Sequence, residues 1–99
     1  MSFTVVRYRP LDDRADENQE LVEAVFAELA ETKPAGLRYM TFRLDDGTFV
    51  HVADVEGDNP LGANSAFQAF TTDIDTRCGE GEGPNPQAAT IVGAYGFEV

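Results

Sequence analysis

His51 is the one histidine of this 99-residue chain, and so the one side chain whose ordinary pKa lies near neutrality. It lies in the run TFVHVADV, while Tyr39 and Arg43 lie in LRYMTFRL, and Asp45, Asp46 and Gly47 separate the two runs. Runs so rich in β-branched and aromatic residues around such a connection predict a β-hairpin. The connection reads as a three-residue loop, a type I turn closed by Gly47 in the left-handed region, where a Cβ would clash. That loop sets Leu44 opposite Thr48, Phe42 opposite Val50 and Met40 opposite Val52. The other face is left to Tyr39, Thr41, Arg43, Phe49, His51 and Ala53. A two-residue Asp-Gly turn would instead pair Phe42 with His51 and mix the two sets. A base, a phenol and a guanidinium converging on an apolar pocket could take a proton from an acidic carbon or phenol. In that chemistry His51 is the base, and Arg43 and Tyr39 hold the anion. The plainer alternative is a partly buried His51 hydrogen-bonded to a neighbouring side chain on a dimer face.

Other chemistries find little support. Cys78, the only cysteine, stands at a predicted helix end beside acidic neighbours, the opposite of the setting that makes a thiolate, and it has no internal disulfide partner. One His, one Cys and scattered carboxylates make no metal-ligand cluster, so no metal and no cofactor is expected. GEGEG at Gly79–Gly83 lacks the lysine and the strand-to-helix setting of a phosphate loop. Eighteen acidic against seven basic side chains give a net charge of −11, which repels phosphate backbones and anionic lipid head groups. Nucleic acid and membrane partners are therefore not expected. Arg7 interrupts Met1–Val6 before any apolar run long enough for a signal peptide or a span, which leads to the expectation of a soluble cytoplasmic protein.

Residues 1–99 read as a single domain. Phe3–Arg9 alternates as a strand stopped by Pro10, with Phe3, Val5, Arg7 and Arg9 on one face and Thr4, Val6 and Tyr8 on the other. Ala15–Glu31 changes to helical period: Asn18, Val22, Val25, Phe26 and Leu29 share one side, with Asp13 the expected N-cap and Pro34 and Gly36 the end. Glu20, Glu23, Glu28 and Glu31 form its solvated side. After the hairpin, Glu56–Gly62 reads as a loop. A second helix then runs from Asn64 or Ser65 to Arg77 or Cys78, with Ala63, Ala66, Phe67, Phe70 and Ile74 as its stripe. Gly79–Gln87 reads as a mobile excursion, neither helical nor sheet-like, and Ala88–Val99 as the last strand, with Ile91, Tyr95, Phe97 and Val99 on one face.

The order strand-helix-strand-strand-helix-strand predicts an α+β, ferredoxin-like βαββαβ fold. Right-handed crossovers give an antiparallel sheet in the order 4-1-3-2 with both helices on one side. The other side carries apolar residues and needs a cover, for which the simplest candidate is a second copy packed sheet to sheet as a homodimer.

With VRYRP at Val6–Pro10, GLRYMTFR at Gly36–Arg43, FVHVADVEGD at Phe49–Asp58, AFQAF at Ala66–Phe70 and the aromatic end with Tyr95 and Phe97, the chain resembles the dimeric α/β-barrel superfamily. Within it, the likeness is to the antibiotic-biosynthesis-monooxygenase-like group. The resemblance covers nearly the whole length. It implies a two-fold dimeric α/β barrel with a pocket in each subunit between sheet and helices. Val55 takes the pocket-facing place where oxygenases of the group carry a Trp, which puts His51 and Ala53 on the pocket side. Tyr8, Phe67 and Phe70 join Val55 as expected ligand-binding walls. The departures are equally specific. The chain has no Trp, Leu61–Phe67 offers only Asn64 where haem-cleaving members place a ligand histidine, and Val6 stands at their first-strand Asn. Two readings result. One is a protein that binds a small apolar or aromatic ligand, as a cofactor-independent oxygenase or isomerase. The other is a non-catalytic ligand-binding or assembly module that keeps the fold without the oxygenase residues.

Overall fold

The computed structural model describes residues 3–56 and 60–97. Four antiparallel strands, β1 (Phe3–Tyr8), β2 (Leu37–Arg43), β3 (Phe49–Val55) and β4 (Asn85–Ala89), form one sheet in the spatial order β2-β3-β1-β4. Helices α1 (Ala15–Thr32), α2 (Ser65–Thr71) and α3 (Ile74–Arg77) complete the α+β, ferredoxin-like fold expected from the element order.

The central hairpin forms in the predicted register. Phe42 pairs with Val50, Met40 with Val52 and Thr41 with His51, and Leu44 donates its backbone N–H to the Thr48 carbonyl at 2.8 Å. Gly47, at φ 90°, occupies the left-handed position that the three-residue loop requires. Alternation sends Tyr8, Phe49 and His51 under the helices, where they are buried, and leaves Met40 and Phe42 half exposed on the open side. The core lies between the sheet and the helices, around Tyr8, Val22, Val25, Phe49, Leu61, Phe70 and Cys78.

Four local expectations need correction. Asp13 does not cap α1: residues 12–14 form a 3-10 turn, Arg14 stands at the cap position, and its guanidinium pairs with Glu17 at 2.9 Å. Glu28 is not merely a solvated charge of α1. Its carboxylate accepts from the Ser65 N–H, the Ser65 hydroxyl and the Ala66 N–H, binding the otherwise unpaired donors at the start of α2. Asn64 caps the same helix by accepting from Phe67 N–H at 2.7 Å. The second helix is broken, with Thr72 extended and Asp73 left-handed at φ 61°. The Thr71 and Thr72 hydroxyls bond back to carbonyls of α2, which weakens continuation of the helix.

The last correction concerns the end of the chain. The fourth strand lies within and beside the supposed excursion, at Asn85–Ala89, and Asn85, Pro86 and Gln87 pair with Arg7, Val6 and Val5. An edge strand needs its backbone hydrogen bonds rather than a buried side chain, and it is also where a proline with no N–H is tolerated. Residues 90–97 have no strand, and Val92, Tyr95 and Phe97 are exposed. The expected place of Val99 lies outside the described residues.

Candidate functional site

The site is built where β1, β2 and β3 face α1 and α2. His51 enters on β3 with only 4% of its surface exposed and finds a partner for each ring nitrogen. The Tyr8 hydroxyl, from β1, lies 2.7 Å from Nε2. The Tyr39 hydroxyl, from β2, lies 2.5 Å from Nδ1, with Thr41 Oγ1 at 3.1 Å from the same nitrogen. Rings close the remaining space: Phe70 of α2 stacks on the imidazole at 5.3 Å, Phe49 stacks on Tyr8 at 5.6 Å, and Phe26 of α1 stacks on Tyr39 at 4.9 Å.

Beyond Tyr8 the polar chain continues inward. Asn18 of α1, fully buried, donates from Nδ2 to the Tyr8 hydroxyl at 2.9 Å. Arg77 of α3, also buried, donates from Nε to Asn18 Oδ1 at 3.2 Å and from its other nitrogens to the Thr72 and Phe70 carbonyls at the end of α2. A buried guanidinium is tolerated there because its donors meet carbonyl oxygens and its plane lies over the Phe70 ring.

Burial dominates the titration of this cluster. It pushes His51 down to about 4, so the imidazole is neutral at pH 7. It pushes Tyr39 up to about 12, with Thr41's hydrogen bond acting the other way, and raises Tyr8 against the opposing bond from Asn18. At neutral pH the site therefore holds two phenols and a neutral imidazole.

Of the residues expected to share a site, the structure brings together His51, Tyr39, Tyr8 and Phe70, with Phe67 against Phe70 at 6.0 Å. Arg43 goes elsewhere. Its guanidinium bonds Asp16 at 3.0 Å and Gln19 at 2.7 Å on α1 and lies over the Phe49 ring. Val55 pairs with Leu37 at the end of the hairpin. Asn18, Thr41 and Arg77 were not singled out for chemistry. The available signal for Asn18 was its place as the one polar residue in the apolar stripe of α1.

Among the described residues, Tyr39 lines two grooves. One, of about 320 Å³, runs between the end of α1 and β2 along Phe26, Leu29, Ala30, Lys33, Pro34 and Leu37. The other, of about 510 Å³, lies on the open side of the sheet beneath residues 89–97, walled by Phe3, Val5, Met40, Val52, Ile91 and Phe97 among others. Among the described residues no group of three or more His, Cys, Asp or Glu side chains could hold a metal ion, and no helix is long and apolar enough to cross a membrane.

The fold, helices packed on a four-stranded antiparallel sheet, is shared with solved structures described as antibiotic biosynthesis monooxygenases. The chain is similar to a Nitrosomonas europaea protein provisionally described as such a monooxygenase, with a TM-score of 0.70 and 13% identity over 93% of this chain and 99% of that one. It is similar to another antibiotic biosynthesis monooxygenase, with a TM-score of 0.69 and 16% identity over 94% and 100%. A mutant of SnoaB, a cofactor-independent oxygenase from Streptomyces nogalater, matches with a TM-score of 0.64 and 15% identity over 97% of both chains. By sequence, no family model and no curated protein matches. Identities this low establish the shared fold.

Proposed function

We propose that this chain works as a homodimer that binds a small apolar or aromatic molecule at Tyr39 and handles it without a cofactor, in oxygenase or isomerase chemistry. The observation that carries the reading is the position of Tyr39. Its ring walls the groove beside α1, and its hydroxyl lies against His51. A ligand with an aromatic or enolic oxygen would stack along Phe26 and Leu37 and take a hydrogen bond from the phenol. That bond strengthens as negative charge gathers on the oxygen. His51 serves this site better as the partner that orients Tyr39 than as the base expected from its type. Protonating an imidazole held at about 4 costs about 3 kcal/mol relative to an ordinary histidine. Arg43, engaged with α1 and lying over the Phe49 ring, stands outside the lining of this groove. The SnoaB likeness supports cofactor-free oxygenation as the chemistry to test first.

A specific observation favours the second reading, a non-catalytic ligand-binding or assembly module: both nitrogens of the buried His51 are occupied by protein groups. Thermal shift with flavonoid-like, quinone and haem ligands, followed by oxygen-consumption and product assays, separates the two. A shift lost in Tyr39→Phe, with oxygen consumed, supports the enzyme. A shift without product supports the module. No shift with any ligand overturns binding at Tyr39.

A further inference from the structure

We infer that Arg77 and Asn18 are positioning residues that hold His51 as its Nδ1–H tautomer. Arginine can only donate, so the Asn18 atom 3.2 Å from its Nε is the carbonyl oxygen. The amide is planar, so its nitrogen faces the opposite way, 2.9 Å from the Tyr8 hydroxyl, and has only hydrogens to offer. Tyr8 therefore accepts on that side. Its own hydrogen is left for His51 Nε2 at 2.7 Å, and that nitrogen must present its lone pair. A neutral imidazole carries one proton, which then lies on Nδ1 and points at Tyr39 and Thr41.

The opposite tautomer would place two donors on the Tyr8 oxygen and leave the Tyr8 hydrogen without an acceptor, in a residue with 3% of its surface exposed. A guanidinium at the end of α3 thus decides, through two side chains, which way the proton faces on β3. The use of this chain rests on the Tyr39 reading above. With Nδ1–H occupying a lone pair of the Tyr39 oxygen, the phenol hydrogen turns away from the imidazole, toward Thr41 or a ligand in the groove. The ligand class it suits is one that presents an acceptor oxygen, such as a ketone, quinone or phenolate.

Because the chain has a single histidine, long-range proton–nitrogen correlation spectra of the ligand-free, ¹⁵N-labelled protein at pH 7 read the tautomer directly. The expected result is a protonated Nδ1 and a bare Nε2 in the natural chain, unchanged in Arg77→Lys, which keeps a donor. In Asn18→Asp the new carboxylate accepts only. It takes the Tyr8 hydrogen while still pairing with Arg77, and the tautomer ratio inverts toward Nε2–H. Finding Nε2–H in the natural chain, or Nδ1–H in an Asn18→Asp protein whose amide spectrum is otherwise native, overturns the inference. If Asn18→Asp does not fold, Tyr8→Phe decides. Without the hydroxyl donor the two tautomers should mix, and a retained pure Nδ1–H form refutes the relay. No ligand is present in these spectra, so failure of the Tyr39 binding reading would leave their outcome untouched.

Discussion

Putting a proton on His51 means placing a charge among Tyr8, Tyr39 and Phe70 with little water to solvate it. The unfolded chain takes that proton near pH 6.5, the folded one near 4. Between those values the unfolded state binds more protons. The stability contributed by the neutral imidazole is therefore complete above about pH 6.5 and is lost as pH falls toward 4, by up to about 3 kcal/mol. An NMR titration of the single imidazole should show a midpoint near 4, and a midpoint near 6.5 would contradict the closed, dry cluster. Tyr39→Phe removes a hydroxyl from Nδ1 while Thr41 remains at 3.1 Å, so a loss of roughly 1 kcal/mol in denaturant unfolding is expected. The sharing of one face by Tyr39, Thr41 and His51 was legible because strand alternation and one loop length decide it. That Arg43 would leave this group for Asp16 and Gln19 was not, since nothing along β2 records which helix residues a long side chain will meet across the fold.

At the level of elements, α2 is short and owes its start to two residues from different parts of the chain. Asn64 accepts from Phe67 N–H, and Glu28 reaches across from α1 to Ser65 and Ala66. Asn64→Ala should lower stability by about 1 kcal/mol in denaturant unfolding. Glu28→Ala should speed amide exchange at Ser65 and Ala66 while leaving the β2–β3 hairpin protected. The cap at Asn64 could be read from the residue type before an apolar stripe, whereas Glu28 looked like any acid on a wet helix face because its partners are 37 positions away. The end of α1 shows a different economy. Lys33 adopts the left-handed conformation, φ 45°, and donates its N–H to the Leu29 carbonyl. Lys33→Gly should therefore raise stability by about 1 kcal/mol, measured by thermal or denaturant unfolding. The fourth strand was misplaced for a related reason: hydrophobic alternation finds strands that bury side chains, and Asn85–Ala89 is held through its backbone on the edge of β1.

For the molecule as a whole, the order of the elements carried the architecture, because right-handed crossovers leave few ways to arrange two strand-helix-strand units. The side of the sheet away from the helices shows Met40 and Phe42 each 46% exposed, and Val92, Tyr95 and Phe97 stand out from the segment that follows β4. Pairing of two copies across this side is the proposed assembly. Phe42→Asp should then yield a folded monomer in sedimentation experiments at concentrations where the natural chain pairs, with circular dichroism unchanged. A natural chain that stays monomeric at tens of micromolar would refute the pairing.

The same apolar wall sits on a body carrying 11 excess negative charges. Bringing two such bodies together sets like-signed clouds against a water-shunning seam, and dissolved electrolyte weakens the first more than the second. Raising sodium chloride from low to physiological levels should accordingly tighten the pair, the reverse of what an association driven by opposite charges would do.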